Sequence, residues 1–318
     1  MPTPSQPLVR IGTRGSKLAL TQAGIVQRQI AAALGAPASD AEQVAPLVPI
    51  TTTGDRVQDR RLLEIGGKVL FTKEIEEALT AGRIDCAVHS LKDMPAELPP
   101  GLVIGAIPQR EDARDVFISH RAASLAALPR GAVLGSASLR RQAQSLFQRP
   151  DLRIVNFRGN VDTRLAKLEA GEADATLLAL AGLNRLGLAH LATAVLDPVE
   201  QPPAPGQGAL AIEVRAEDAG APWLAALAHR PSAIAVAAER GALTALEGSC
   251  KTAVGAYARI LGSALKLIVE ALTPDGTRRF RRVDETDVGG ADGEGKARAL
   301  GMRLGEAVRA EGGSALFL

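Results

Sequence analysis

Ile84-Asp85-Cys86-Ala87-Val88-His89-Ser90-Leu91-Lys92-Asp93-Met94-Pro95 runs from a short apolar stretch into polar residues and stops at proline. Ile84 to Val88 has the length of a buried strand, and the polar run falls at its carboxyl end, where open α/β sheets place ligands. Working outward, strand-like runs alternate with helical patterns. Leu8 to Gly12 reads as a strand, Ser16 to Leu34 as a helix, Val44 to Thr52 as a strand and Thr72 to Ala81 as a helix. The order β-α-β-α-β predicts an α/β fold with mixed, largely parallel sheets.

Past the motif, Leu102 to Ile107 follows a Pro99-Pro100-Gly101 turn, and Gln109 to Asp115 reads as a crossing linker. A second domain begins near Val116. Its expected strands are Ala132 to Gly135, Arg153 to Phe157, Ala175 to Ala179 and Ala194 to Leu196, with helices starting near Ser138 and Asn160. The breaker-rich run Gln201 to Gly208 marks a second crossing, after which Ala209 to Val214 can rejoin the first sheet. Ser232 to Leu246 reads as a helix. Val254 to Leu261, Leu265 to Leu272 and Arg278 to Val283 then alternate at strand period, and a helix from Gly295 to Ala310 covers them. The expected division is 1–108 with 209–228, then 114–202, then 231–318, the last a small α+β domain with an antiparallel sheet.

The 318 residues are 46% apolar and carry a formal net charge of only +2 with 3% aromatics, so neither the basic footprint nor the stacking platform of a nucleic-acid binder is present. Met1 to Arg10 has no apolar leader core, and no apolar run approaches the length of a membrane span. No nucleic-acid or membrane partner is expected, and cytoplasm is the expected location. Cys86 and Cys250 are the only cysteines, which gives no disulfide framework, and their spacing to the four histidines matches no metal site.

Against this balance, Gly135 to Arg185 carries seven arginines. Arg140-Arg141 open an expected helix after the small residues Gly135-Ser136-Ala137-Ser138, whose backbone N–H groups can approach an anion. Arg158 precedes a second helix start, Arg164 lies about one turn inside it, and Arg185 follows another strand. Each guanidinium fork can hold a carboxylate or phosphate, and the missing Walker pattern lowers the phosphate reading. Arg-Arg as a solvated helix face accounts for the dipeptide alone. Likewise, an exposed Lys92–Asp93 pair with a satisfied near-core His89 accounts for the motif alone. Arginines lining a cleft would face solvent, so removing Arg141 is expected to leave the core intact.

Cys250 lies among small residues beside Lys251, as a reactive thiolate would; an inert buried thiol is the alternative, and Cys86 fits that description. On these residues a small-anion sensor and a thiol hydrolase using Cys250 both stay open.

Arg14-Gly15-Ser16, Gly66-Gly67-Lys68, His89-Ser90-Leu91-Lys92-Asp93, Ser138-Leu139-Arg140-Arg141, Arg158-Gly159-Asn160-Val161 and Cys250, in this order over nearly the whole chain, resemble the porphobilinogen deaminase (hydroxymethylbilane synthase) family. Two departures stand out: Ser136-Ala137-Ser138 where the family usually has Thr-Ser-Ser, and Ala253 where it commonly has proline. The resemblance implies two periplasmic-binding-protein-like lobes enclosing a cleft and a third domain presenting Cys250 on a loop. It implies a dipyrromethane cofactor joined to Cys250 by a thioether, and four porphobilinogens joined head to tail with loss of ammonia. By the same resemblance Asp93 is the catalytic group. Arg14, Ser16, Lys68, Lys92, Ser136, Ser138, Arg140, Arg141, Arg158, Arg164 and Arg185 bind cofactor or substrate. Porphobilinogen is the expected partner, no metal is expected, and a monomer is the expected state.

Overall fold

The computed structural model describes residues 8–56, 71–246 and 252–317. Their chain divides into two compact units, one holding residues through 110 together with 209–233, the other holding 111–208 and 234 onward. Lys68, the Gly66-Gly67 pair and Cys250 lie outside the described residues.

In chain order the first unit begins with β1 (Ile11–Arg14), α1 (Lys17–Ala33), α2 (Ala41–Val44), β2 (Leu47–Ile50), α3 (Thr53–Arg56), α4 (Lys73–Thr80), β3 (Cys86–Ser90) and β4 (Leu102–Ala106). In the second unit follow β5 (Asp115–Ile118), β6 (Val133–Gly135), α5 (Leu139–Gln148), β7 (Arg153–Val155), α6 (Val161–Glu169), β8 (Ala175–Ala179), α7 (Leu180–Leu186) and β9 (Ala194–Val195). The chain then returns to the first unit with β10 (Leu210–Arg215) and α8 (Pro222–Leu227). After α9 (Arg230–Ala245), the rest is β11 (Ala253–Leu261), β12 (Ala264–Leu272), β13 (Arg279–Asp287) and α10 (Gly293–Gly312).

The first sheet has the order β2-β1-β3-β10-β4. β1 runs parallel to β2 and β3, whereas β10 is antiparallel to both β3 and β4. Successive strand residues face opposite sides, and β3 uses both. Cys86 and Val88 join the core with Ala23, Val26 and Ile30 of α1, while Ala87 packs with Ile75, Ala78 and Leu79 of α4. Ile30, Ile75 and Leu79 are fully buried, each contributing about 1.5–3 kcal/mol by leaving water. This double covering leaves the carboxyl end of β3 as the place where polar residues emerge.

The second sheet has the order β7-β6-β8-β5-β9, with β6 parallel to β7 and β8 and β5 antiparallel to β8 and β9. Both five-stranded sheets are therefore mixed, as the sequence leads one to expect, with antiparallel pairs as numerous as parallel ones. Around this sheet the elements depart from the sequence reading in two places. Asp115 to Ile118 is a strand between β8 and the edge strand β9, where the sequence reading ends a linker at Asp115 and assigns no strand to residues 116–118. Leu180 to Leu186 is a helix that starts directly where β8 stops, so Arg185 sits in its last turn.

The third sheet is the antiparallel meander β11-β12-β13. Val254, Leu267, Val269 and Ala271 face Ala297, Leu300, Leu304 and Val308 of α10. α10 crosses α9 closely because the contact residues are small: a Cβ on Gly301 would run into the Ala238 carbonyl, and one on Gly241 into that of Arg298.

Candidate functional site

In the first unit, the chain leaves β3 through Ser90 into a short 3₁₀ turn, Leu91–Asp93. Leu91 and Met94 are buried and anchor this turn, leaving Lys92 and Asp93 half-buried. Asp93 lines a cavity of about 30 Å³ with Arg14, Gln22, Thr72, His89 and Ser90. That is room for one water-sized group in polar surroundings. Gln22 of α1 donates to Ser90 Oγ at 3.0 Å, tying the end of β3 to that helix.

Arg14 ends β1, and its guanidinium lies over the Phe71 ring, 4.3 Å from the centroid. It also pairs with Asp55, Nε donating to Oδ1 at 3.1 Å. Burial alone would raise the Asp55 carboxyl, but hydrogen bonds from Arg14 and Thr52 hold it below the usual range. Ser16 is the N-cap of α1, its Oγ accepting from Ala19 N at 3.3 Å. A serine hydroxyl satisfies one of the orphan amides there.

In the second unit, Ser138 caps α5 and accepts from Arg141 N. Ser136 is buried, and its hydroxyl accepts from Ser138 N at 3.2 Å. Arg140 and Arg141 are each only 5% exposed, which corrects the expectation that they face solvent. Both reach Asp115 at the start of β5. Arg140 Nη1 donates to Oδ2 at 2.7 Å and Arg141 Nη2 to Oδ1 at 2.7 Å. Gln207 Nε2 adds a third donor to Oδ1 at 2.8 Å. Burial would raise the Asp115 carboxyl, yet the two guanidiniums hold it far below the carboxylate range. Burial lowers Arg140 from its ordinary value, opposed by Asp115.

The arrangement continues toward the third sheet. Arg140 Nη1 donates to Gln144 Oε1 at 2.9 Å, and Gln144 Nε2 donates to Glu270 Oε1 of β12 at 3.0 Å. Glu270 also faces Arg279 and Arg281, at 3.8 and 3.6 Å.

Asn160 caps α6, accepting from Thr163 N at 2.8 Å. Arg158 lies just before it and is half-buried. Gly159, between them, has φ 120°, a conformation in which a side chain is strained. Arg164 folds back on the helix start, Nε donating to the Gly159 carbonyl at 3.0 Å. Arg185 Nη2 donates to the Gly208 carbonyl at 2.7 Å, and burial lowers its guanidinium from the ordinary value. Of the remaining arginines in this stretch, Arg149 ties down the carbonyls of Leu125, Ala126, Leu128 and Pro129, and Arg153 is exposed.

Each described candidate thus sits at an element end: Arg14, Ser16, Lys92 and Asp93 in one unit, and Ser136, Ser138, Arg140, Arg141, Arg158, Arg164 and Arg185 in the other. Sequence reasoning did not single out Asp55, Phe71, Asp115 or Gln207. For Asp115 the signal was available, since an acid directly before the apolar run Val116-Phe117-Ile118 needs a cationic partner once the run is buried.

The family model of the porphobilinogen deaminase dipyromethane cofactor binding domain matches residues 9–221, and that of the porphobilinogen deaminase C-terminal domain matches 233–310. The chain is 67% identical over 317 residues to the porphobilinogen deaminase of Caulobacter vibrioides strain NA1000, covering 98% of each chain. It is 66% identical over 319 residues to that of Phenylobacterium zucineum, covering 99% of this chain and all of the other. A solved ABC transporter periplasmic substrate-binding protein from Coxiella burnetii is similar at 17% identity and TM-score 0.43, over 73% of this chain and 96% of that one.

Proposed function

Because the chain belongs to the porphobilinogen deaminase family, we propose that it is a hydroxymethylbilane synthase. It joins four porphobilinogens head to tail, losing one ammonia at each join, to give hydroxymethylbilane. The observation that carries the reading is the Asp93 carboxylate at the carboxyl end of β3, on the wall of a cavity shared with Arg14 and Ser90.

The residues of the second unit suit a dipyrromethane bearing acetate and propionate groups. Two guanidiniums share the single Asp115 carboxylate, and Arg140 Nε has no hydrogen-bond partner among the described residues. A buried cationic surplus of this kind favours an added carboxylate. When bound, through a thioether to Cys250 in our proposal, the dipyrromethane supplies the pyrrole α-carbon on which the product is built. In this unit Ser136, Ser138, Arg140, Arg141, Arg158, Arg164 and Arg185 would hold carboxylates of the cofactor or substrate, and in the first unit Lys68 and Lys92 would bind such groups. Arg14 and Ser16 would do the same beside Asp93.

Asp93 is the proposed catalytic group. Breaking the substrate's C–N bond sends the electron pair out with ammonia and leaves a methylene-pyrrole cation. A carboxylate beside the ring N–H stabilises that positive charge. As the acid, the same group first gives a proton to the departing amine; the carboxylate so formed faces the cation and takes a proton back from the attacking ring carbon when the new carbon–carbon bond forms, so one ammonia leaves per join and no net proton accumulates. Asp93→Asn keeps shape but removes charge and base. Its turnover is expected to fall about 10²–10⁴-fold, with the cofactor retained as read by Ehrlich reagent; near-normal turnover would remove Asp93 from this role.

We further propose a cytoplasmic monomer, divided near the boundaries read from the sequence. No helix among the described residues is long and apolar enough to cross a membrane, and Cys86 is a free buried thiol.

A further inference from the structure

Behind the Asp93 cavity lies a group of ionisable side chains for which the proposed reaction has no direct use. His89 on β3 and Glu213 on β10 occupy one face of the sheet, since His89 pairs with Ala211 and Glu213 with Ala87 in the antiparallel register. Such diagonal neighbours reach one another. His89 Nε2 lies 3.0 Å from Glu213 Oε2, with the side chains 5% and 0% exposed. The same face is covered by α4, which contributes the buried Glu76. Among the described residues neither Glu76 Oε1 nor Glu213 Oε1 has a hydrogen-bond partner. Two buried carboxylates with orphaned oxygens cost heavily if both are ionised. A proton held on Glu76 removes that double ionisation.

We propose that Glu76, His89 and Glu213 form a proton-holding cluster that positions Asp93: Glu76 holds the proton that spares the two carboxyls from double ionisation, and Glu213 Oε2 faces His89 Nε2. Burial pushes the Glu76 carboxyl up and Glu213 adds to the rise, while the Thr72 hydroxyl and, less strongly, His89 oppose it. Other ionisable groups on the elements packed here are engaged elsewhere. Glu74 accepts from Thr53, Arg14 pairs with Asp55, and Arg10 and Arg215 pair with Asp85. Burial raises the Cys86 thiol, which stays neutral. His89 is four residues before Asp93 and lines the same cavity. A shift of its ring is therefore transmitted along Ser90 and the 3₁₀ turn to the catalytic carboxylate. These are positioning residues, and the inference rests on the reading of Asp93 above.

The test compares Glu76→Gln, Glu76→Ala and wild type with cofactor bound. The amide of Gln can donate as the protonated acid does but cannot ionise. The wild-type cluster binds a proton that the unfolded chain releases above about pH 4, so its contribution to stability falls as pH rises from there through the raised folded value. Glu76→Gln should therefore gain Tm relative to wild type between pH 5 and pH 8 and hold near-normal kcat, with its activity persisting further on the alkaline side. Glu76→Ala should lose up to about 10²-fold in kcat with KM little changed, as expected of a misplaced catalytic group. A Glu76→Gln variant whose Tm difference does not change with pH overturns the proton-holding cluster. If that difference changes as stated but the activity profile superimposes on wild type, the positioning role is overturned, while synthesis by wild type leaves the function standing. Failure of wild type to make hydroxymethylbilane would instead remove the functional reading.

Discussion

Replacing Arg141 by leucine distinguishes a buried arginine from a solvent-facing one. The guanidinium donates to Asp115 Oδ1 at 2.7 Å and to the Leu177 carbonyl at 2.9 Å, and leucine removes both donors. Breaking a buried ion pair costs roughly 3–5 kcal/mol. Asp115 retains Arg140 and Gln207 as donors, which pulls the cost toward the lower end. The stranded Leu177 carbonyl pushes it back by about 1–3 kcal/mol. A loss of about 3–4 kcal/mol follows, or a Tm lower by roughly 6–16 °C at about 2–4 °C per kcal/mol. Arg121 provides the control: its side chain is 64% exposed and pairs with Asp174, so Arg121→Leu should cost about 0–1 kcal/mol. Differential scanning calorimetry at one scan rate reads both. Asp115→Asn, which leaves both guanidiniums in place, should fall alongside Arg141→Leu. Equal Tm values for Arg141→Leu and Arg121→Leu would refute the buried Arg140–Asp115–Arg141 arrangement.

Asp115 has its folded value depressed, so its stabilisation is present above the ordinary carboxylate range and is lost as pH falls through the depressed value. The Tm gap between wild type and Asp115→Asn should accordingly narrow on acidification toward pH 2, and a constant gap would contradict the assignment. Gly301→Val drives side-chain atoms into the Ala238 carbonyl and should lower Tm strongly, while an exposed control such as Ala166→Val should not; similar Tm values would count against the close α9–α10 crossing. Thiol titration should find no fast-reacting cysteine in the native protein and one on unfolding, because Cys86 is buried with its thiol raised and Cys250 carries the cofactor. A fast native thiol would favour the hydrolase reading instead.

What was legible in the sequence followed from local chemistry. Ser16, Ser138 and Asn160 were readable as helix starts because short polar side chains cap orphan amides, and all three do so. β8 was readable because Glu172 and Asp174 punctuate its start and all of its residues but Thr176 are apolar. α7 was hidden by the same rule: Leu180 follows Ala179 with no breaker, so periodicity alone does not separate strand from helix. β13 extends to Asp287 and not Val283 because it is an edge strand whose charged residues disguise the alternation. The burial of Arg140 and Arg141 was not legible, since it depends on Asp115, 25 residues away in sequence. Nor was the pairing of His89 with Glu213, which exists only once β10 returns to the first sheet.

The central claim is a covalent dipyrromethane on Cys250, and the most direct measurement is the intact mass of the purified protein with peptide mapping of any adduct. The expected mass exceeds that of the bare chain by two porphobilinogen units less two ammonia, with the adduct on the peptide containing Cys250 and absent from Cys250→Ala. A bare mass in the active protein, or an adduct on Cys86, would contradict it.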